Sequence, residues 1–372
     1  MPYLEGMRRS EIARLRMSGQ QLIQQSLRRP VDVARWFGAI QSQDPAASSY
    51  AIGLRMREGS ESAVERAIAQ KTIVRTWPMR RTIHCMAAED AGWMVRLLAP
   101  RQIARMATYH RKGGITDRDL ESAGKVLHSA LAGDKQLTRA ELYGELNAAG
   151  IATDEHAGMM RGMHILTHWA QAGLICIAAR KGKQQTFALL DEWIPRGRDL
   201  SGDDAFAELA KRYFQSHGPA TVADFAWWAG LTMAEARQSV RLIARRLKAI
   251  TIDGIEYWLT RNLAEAAAGP LPVLLLPAFD EYTVGYADRT AAADRDVLAS
   301  VNHGLAANIL VNGRIAGTWK RKLSGEGGVV VVPDVLRSLT TKERTGLRRA
   351  AQRYAGFLGA RLGAEGFDAS LR

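Results

Sequence analysis

The sequence predicts an α+β chain, mainly helical, with three tandem winged-helix units and a small C-terminal β-subdomain that carries a closing helix. One plan, helices followed by two β-rich runs around a short turn, recurs over residues 10–86, 137–190 and 204–260 without close sequence identity. Helix starts are marked by Ser/Thr and Asp/Glu three residues apart, the spacing at which each side chain caps the other's backbone N–H. Beyond residue 265 the character changes to Val- and Leu-rich strands around an Asn-Gly turn. These shifts place the unit boundaries at 1–112, 113–195, 196–265 and 266–372. The 372 residues, 47% hydrophobic and 24% charged, are enough to bury a real core.

In the first unit, Ile12, Leu15 and Met17 mark a helix over residues 10–22, and Val31 to Ile40 a second. Asp44 and Pro45 are the favoured N-cap and first helical residue of a third, which runs from Pro45 to about Gly59. Ser62 and Glu65 have capping-box spacing for a fourth. Residues 72–77 and 81–86 read as a hairpin around Pro78, Met79 and Arg80, with Arg75, Arg80 and Arg81 making its tip cationic. From Ala87 to Lys112 the pattern is helical, broken or kinked at Pro100.

The second unit opens a helix at Thr116 and Asp119 and another at Thr138 and Glu141. A longer helix is expected from about Asp154 to Gly173, then strands at 174–179 and 185–190 flanking the basic turn Arg180, Lys181 and Lys183. The third has a helix from Ala205 to Ser216, a break at Gly218-Pro219, and helices opening at Thr221 and Thr232. Its hairpin turns at Asp253-Gly254. In the last unit, Val273 to Leu276 is a buried strand and Asn312-Gly313 turns a hairpin. Val329 to Val332 is a further strand, and Thr341 to Leu362 a helix. Arg314, Lys320, Arg321 and Lys322 make this hairpin basic too.

Fifty-one Lys and Arg against 38 Asp and Glu give a net charge of +13, which points to a polyanionic partner. No apolar run is long enough to anchor the chain in a membrane, and the N-terminal stretch has no apolar signal region, so a cytoplasmic protein facing nucleic acid is expected. Cys85 and Cys176, far apart in apolar segments, read as reduced core thiols.

Few residues suggest chemistry by pattern alone. The glycine-rich stretch at 324–328 precedes a strand, whereas a phosphate loop precedes a helix. His164 and His168 have metal-ligand spacing but no third ligand, so a packed pair is expected and no metal. His84 reads as a packed histidine. Adjacent residues of a strand face opposite ways, so Asp280 and Glu281 could not share a proton and a cap or ion-pair role is expected. More promising is Gln41-Ser42-Gln43. An extended backbone would turn both glutamines to one side, beside a helix N-terminus whose N–H groups favour phosphate or developing negative charge.

Four stretches in this order carry a family resemblance. They are Gln41-Ser42-Gln43, the run from Arg75 through Trp77, Arg80 and Thr82 to His84, Leu276-Pro277-Ala278-Phe279-Asp280, and the run from Gly313 through Trp319 to Lys320. Over essentially its whole length the chain resembles the AlkZ/YcaQ winged-helix DNA glycosylases. The resemblance implies three tandem winged helices around a concave basic surface for duplex DNA, and excision of N7-alkylated guanines, with some members unhooking interstrand crosslinks. It implies Gln41 and Gln43 as the catalytic pair, the Gln-x-Gln pattern of the AlkZ branch. Ser42 stands where the family commonly has an apolar residue, and Arg81 where it usually has glycine.

The residue chemistry agrees with that implication. An N7-alkylguanine is already a cationic leaving group, so no general acid is needed. A carboxamide takes up no proton at neutral pH but can accept a hydrogen bond from a water and fix its direction. No lysine adjoins the glutamines, so a monofunctional glycosylase without cofactor is expected, acting as a monomer on double-stranded DNA carrying alkylated guanine. A crosslinked base cannot be flipped fully into a closed pocket, which favours an open site. Arg75, Arg80, Arg81, Arg180, Lys181, Lys183, Arg314, Lys320, Arg321 and Lys322 are the candidate DNA contacts. The competing reading is a non-catalytic winged-helix DNA-binding protein, such as a transcriptional regulator that dimerises on a defined operator.

Overall fold

A computed structural model describes residues 9–194, 196–265, 270–324 and 327–363, an α+β arrangement throughout. Two residues of the glycine-rich stretch, 325 and 326, lie outside the described residues, as does the expected unit boundary at 265–266 in part. The chain divides into two compact units, one formed by Met1–Val64 with Phe206–Arg372 and the other by Glu65–Ala205.

In the first unit, the helix Pro30–Phe37 begins on a proline and stops at Gly38, whose φ of 79° is a conformation a side chain resists. The chain leaves that helix as the extended pair Ile40–Gln41 and re-enters helix at Pro45–Leu54. Ser60, not Ser62, caps the next helix, its hydroxyl accepting from the Ala63 N–H. Helices Val222–Ala229 and Met233–Leu242 each start on a complete capping box, Thr221 with Asp224 and Thr232 with Glu235. The hairpin Leu247–Ile252 and Ile255–Thr260 turns on Asp253 and Gly254, both at positive φ, as an Asp-Gly turn requires.

The C-terminal part of this unit is a five-stranded sheet in the order Leu274–Leu276, Asn308–Val311, Arg314–Ser324, Gly328–Val335, Arg361–Leu362, antiparallel except at its last pair. Asn312 and Gly313 turn its hairpin with φ of 53° and 77°. The helix Thr341–Leu358 packs beside it and ends at Gly359 in the left-handed conformation, so the expected continuation to Leu362 becomes a short strand instead. Tyr50 of the helix after the glutamines meets Tyr354, Phe357 and Trp319 at ring-centroid distances of 4.7, 5.2 and 6.3 Å. Gly53 permits that contact, because a Cβ there would stand 2.3 Å from the Phe357 ring.

In the second unit, the strands Ile73–Met79 and Thr82–Ala87 and the strands Ile175–Lys181 and Gln184–Leu189 belong to one sheet, joined where Arg75 pairs with Ile177. All seven residues of Ile73–Met79 are buried, and the helices Ala88–Lys112 and Arg161–Gln171 pack on this strand. Ala88–Lys112 is a single helix that continues through Pro100. The expected long helix from Asp154 is shorter, Arg161–Gln171. Ahead of it Glu155–His156 and Met159–Met160 pair around Ala157 and Gly158, both at positive φ. No helix among the described residues is long and apolar enough to cross a membrane.

Candidate active site

Exposure alternates along the glutamine turn. Gln41 is half-buried, Ser42 fully buried and Gln43 exposed, so the two amides flank an inward-facing residue as an extended backbone dictates. Ser42 holds its place through its hydroxyl, 2.7 Å from that of Ser48, and Ser48 donates in turn to the Pro45 carbonyl. An alcohol can thus occupy this buried position because the following helix supplies a partner. Asp44 caps that helix, its Oδ1 accepting from the Ala46 and Ala47 N–H groups at 2.9 and 3.1 Å. The cap corrects one expectation, since a carboxylate of this chain already takes the helix-terminal donors that a phosphate would need.

Behind the turn lies a buried polar network. The Gln41 backbone N–H donates to Glu281 Oε1 at 2.7 Å, across 240 residues of sequence. Glu281 Oε2 accepts from Trp228 Nε1 at 3.1 Å and faces His217 Nε2 at 3.2 Å, and all three side chains are fully buried. His217 is stacked on Tyr213 at 4.6 Å and edged by Phe37. Gly285 makes room for its ring, as a Cβ there would stand 2.5 Å from Cδ2.

One residue away, Asp280 caps the short helix Glu281–Val284 and receives both terminal nitrogens of Arg55, at 2.8 and 2.7 Å, with neither side chain exposed. Arg55 also donates to Gln20 Oε1 and the Ala51 carbonyl. The cap and ion-pair role expected of Asp280 is the one it plays. Glu281, by contrast, is an anchor invisible to any local pattern, because its partners Gln41, His217 and Trp228 come from distant segments.

The cationic candidates sort by burial. Arg75 is only 5% exposed, in a strand buried along its whole length, and this removes it from the tip. Arg80 and Arg81 form the turn itself at φ of 51° and 59°, which explains why glycine would suit position 81. Arg80 lies 3.2 Å from His84, which is packed inside, and Arg81 covers the Tyr109 ring at 4.5 Å. Hydrogen bonding from Arg81 holds the Tyr109 hydroxyl below its usual pKa. Arg180 pairs loosely with Glu65, Lys181 with Glu141, and Arg314 with Asp294 at 2.7 Å. Lys183, Lys320 and Lys322 are exposed and form no ion pair among the described residues. Arg321 donates to the Tyr354 hydroxyl at 2.9 Å, and Tyr354 in turn lies within electrostatic reach of Asp44.

His164 and His168 pack against Tyr109 and His110, and burial lowers the pKa of both, to about 4 for His168. Among the described residues no three His, Cys, Asp or Glu side chains are grouped to hold a metal ion. Cys85 and Cys176 are buried free thiols, and burial pushes Cys85 up to about 12.

The profile of the DNA glycosylase AlkZ-like family matches residues 34–357. An interstrand DNA cross-link repair glycosylase of Streptomyces sahachiroi is 24% identical over 305 residues, which cover 78% of this chain and 81% of that protein. The solved structure of the Streptomyces sahachiroi DNA glycosylase AlkZ matches with a TM-score of 0.77 at 22% identity, over 96% of this chain and 98% of that one. The chain belongs to the AlkZ-like DNA glycosylase family, and is an enzyme of that class.

Proposed function

We propose that this chain hydrolyses the N-glycosidic bond of N7-alkylated guanine in duplex DNA, with Gln41 and Gln43 holding the attacking water, and that crosslinking adducts are among its substrates. The observation that carries the reading is the glutamine turn itself, two amides flanking the buried Ser42 on a backbone tied at Gln41 to Glu281 and closed at Asp44 by a helix cap. The curated relative's name, an interstrand cross-link repair glycosylase, supports the choice of lesion.

In this reaction the C1′–N9 bond stretches, its electron pair passes into the purine and cancels the charge of the N7-alkyl ring, and a water forms the new C1′–O bond. The proton lost by that water goes to solvent. Neither step asks for a strong acid or base; the protein's part is to fix the water's direction, which can lower the barrier by several kcal/mol, on the order of 7–11 in the best-oriented cases. Uncharged purines should be poor substrates, because nothing at the turn can protonate them.

The three helix-and-hairpin segments act in this reading as winged helices on duplex DNA. Arg80, Arg81, Arg180, Lys181, Lys183, Arg314, Lys320, Arg321 and Lys322 meet phosphates, and the chain works as a monomer in the cytoplasm. Base release from an N7-methylguanine duplex and from an interstrand-crosslinked duplex tests it. Both should lose the modified base to the native chain, and neither to the Gln41→Ala, Gln43→Ala double variant; release by that variant would overturn the roles given to the glutamines. A chain that releases no base yet protects one defined operator as a dimer would be a regulator.

A further inference from the structure

We propose that Glu281 is a positioning residue for Gln41, acting through the peptide N–H of the catalytic turn. The proposal rests on the water-holding reading of Gln41 and adds a residue to it. A glutamine side chain aims a water only as well as its own Cα is fixed. Gln41 ends a two-residue extended segment, just before the backbone turns into the next helix. Its backbone N–H donates to Glu281 Oε1 at 2.7 Å, which ties the peptide of Gln41 to a buried carboxylate.

The carboxylate is itself held rigidly. Glu281 opens the helix Glu281–Val284, and the preceding residue is locked to Arg55 through two hydrogen bonds. Its second oxygen accepts from Trp228 and faces His217, whose ring is confined by Tyr213, Phe37 and Trp228. A fully buried carboxylate is costly unless donors surround it, and here one of those donors is the main chain of the turn. An apolar side chain in this space would leave the Gln41 and Trp228 N–H groups without their acceptor. A carboxylate aimed at the peptide of Gln41 serves to set the direction of that peptide, and the amide of its side chain with it.

The test uses Glu281→Gln in the full chain, which keeps the shape and one acceptor but sets an N–H₂ against donors. Three quantities are read: the single-turnover rate of N7-methylguanine release, the Kd for the lesion duplex, and hydrogen exchange of the Gln41 amide. The expected result is a rate lower by ~10- to ~100-fold, faster exchange at Gln41, and a Kd within about twofold of native, the pattern of a small misplacement. Should Glu281→Gln not fold, Trp228→Phe removes one donor to the carboxylate, and a smaller loss of rate with faster Gln41 exchange is expected. An unchanged rate, or a loss that only follows DNA affinity or folded fraction, overturns the proposal. Gln41→Ala is measured alongside. Full activity there refutes the water-holding reading instead, whatever Glu281→Gln does, so the two failures are told apart.

Discussion

The backing of the glutamine turn and the tips of the basic hairpins use charge in opposite ways. Behind the turn, Arg55 and Asp280 are both fully buried and joined by two hydrogen bonds, and Glu281 is equally dry. At the tips, Lys181 pairs with Glu141 at 3.1 Å with side chains 69% and 41% exposed, and Arg180 reaches Glu65 only at 3.7 Å. Water screens the second kind, which adds at most about 1 kcal/mol to stability and leaves the cation available to another partner. The first kind cannot be exchanged for anything. In the proposed reading, charge at the tips is there to be lent to phosphates, whereas charge behind the turn is tied into buried hydrogen bonds, one of them to the Gln41 backbone.

The sharpest break in that contrast is to leave one buried charge alone. Arg55→Leu strands Asp280 without its two strongest donors in a place where neither side chain meets solvent. The expected loss is about 3–5 kcal/mol of unfolding free energy, measured by urea denaturation. Replacing both partners, Arg55→Leu with Asp280→Leu, should recover part of it, but not the cap that Asp280 provides to the Tyr282 N–H.

Glu208 stands between the two extremes. Burial alone would raise its pKa, but hydrogen bonds from Lys211 and Arg212, at 2.6 and 2.8 Å, pull it down to about 2. A carboxyl depressed in the folded state stabilises above its ordinary pKa of 4.5, and the gain is lost as pH falls through the folded value of about 2. Glu208→Gln should therefore cost about 1–2 kcal/mol near neutral pH, after allowing for screening, and almost nothing once pH is well below about 2. Thermal melts of both proteins across that range check it. A constant gap between the two at every pH would mean that packing, not charge, is what Glu208 contributes.

The same contrast separates what could be read in the sequence from what could not. The caps at Asp44, Thr138, Thr221 and Thr232 and the turns at Asp253-Gly254 and Asn312-Gly313 were legible, because each depends on residues within four positions of one another. The spacing of Gln41 and Gln43 about the buried Ser42 is likewise local. Arg75 reads locally as a tip residue, but it lies in the body of the strand opposite Cys85, where every residue is buried by tertiary packing that a local pattern does not show. Glu281 was seen only as half of an adjacent acidic pair, since its link to Gln41 is tertiary. The helix expected from Asp154 failed on Gly158, a turn residue inside an otherwise helical periodicity.

The gentlest probe of the contrast is Arg81→Gly at the first hairpin. A side chain at φ of 59° carries strain of about 1 kcal/mol, which glycine would relieve. Against that, the change loses the Arg81 stack on Tyr109 at 4.5 Å, about 0.5–1 kcal/mol at an exposed site, and it loosens the unfolded chain. The terms nearly cancel, so the melting temperature should hardly move. Binding should tell a different story. If Arg81 meets a phosphate, the slope of log affinity for duplex DNA against log salt should become shallower by about 0.9, uniformly across sequences. An unchanged slope would mean that the strained arginine is kept for Tyr109 rather than for DNA, and would move this tip from the lending side of the comparison to the holding side.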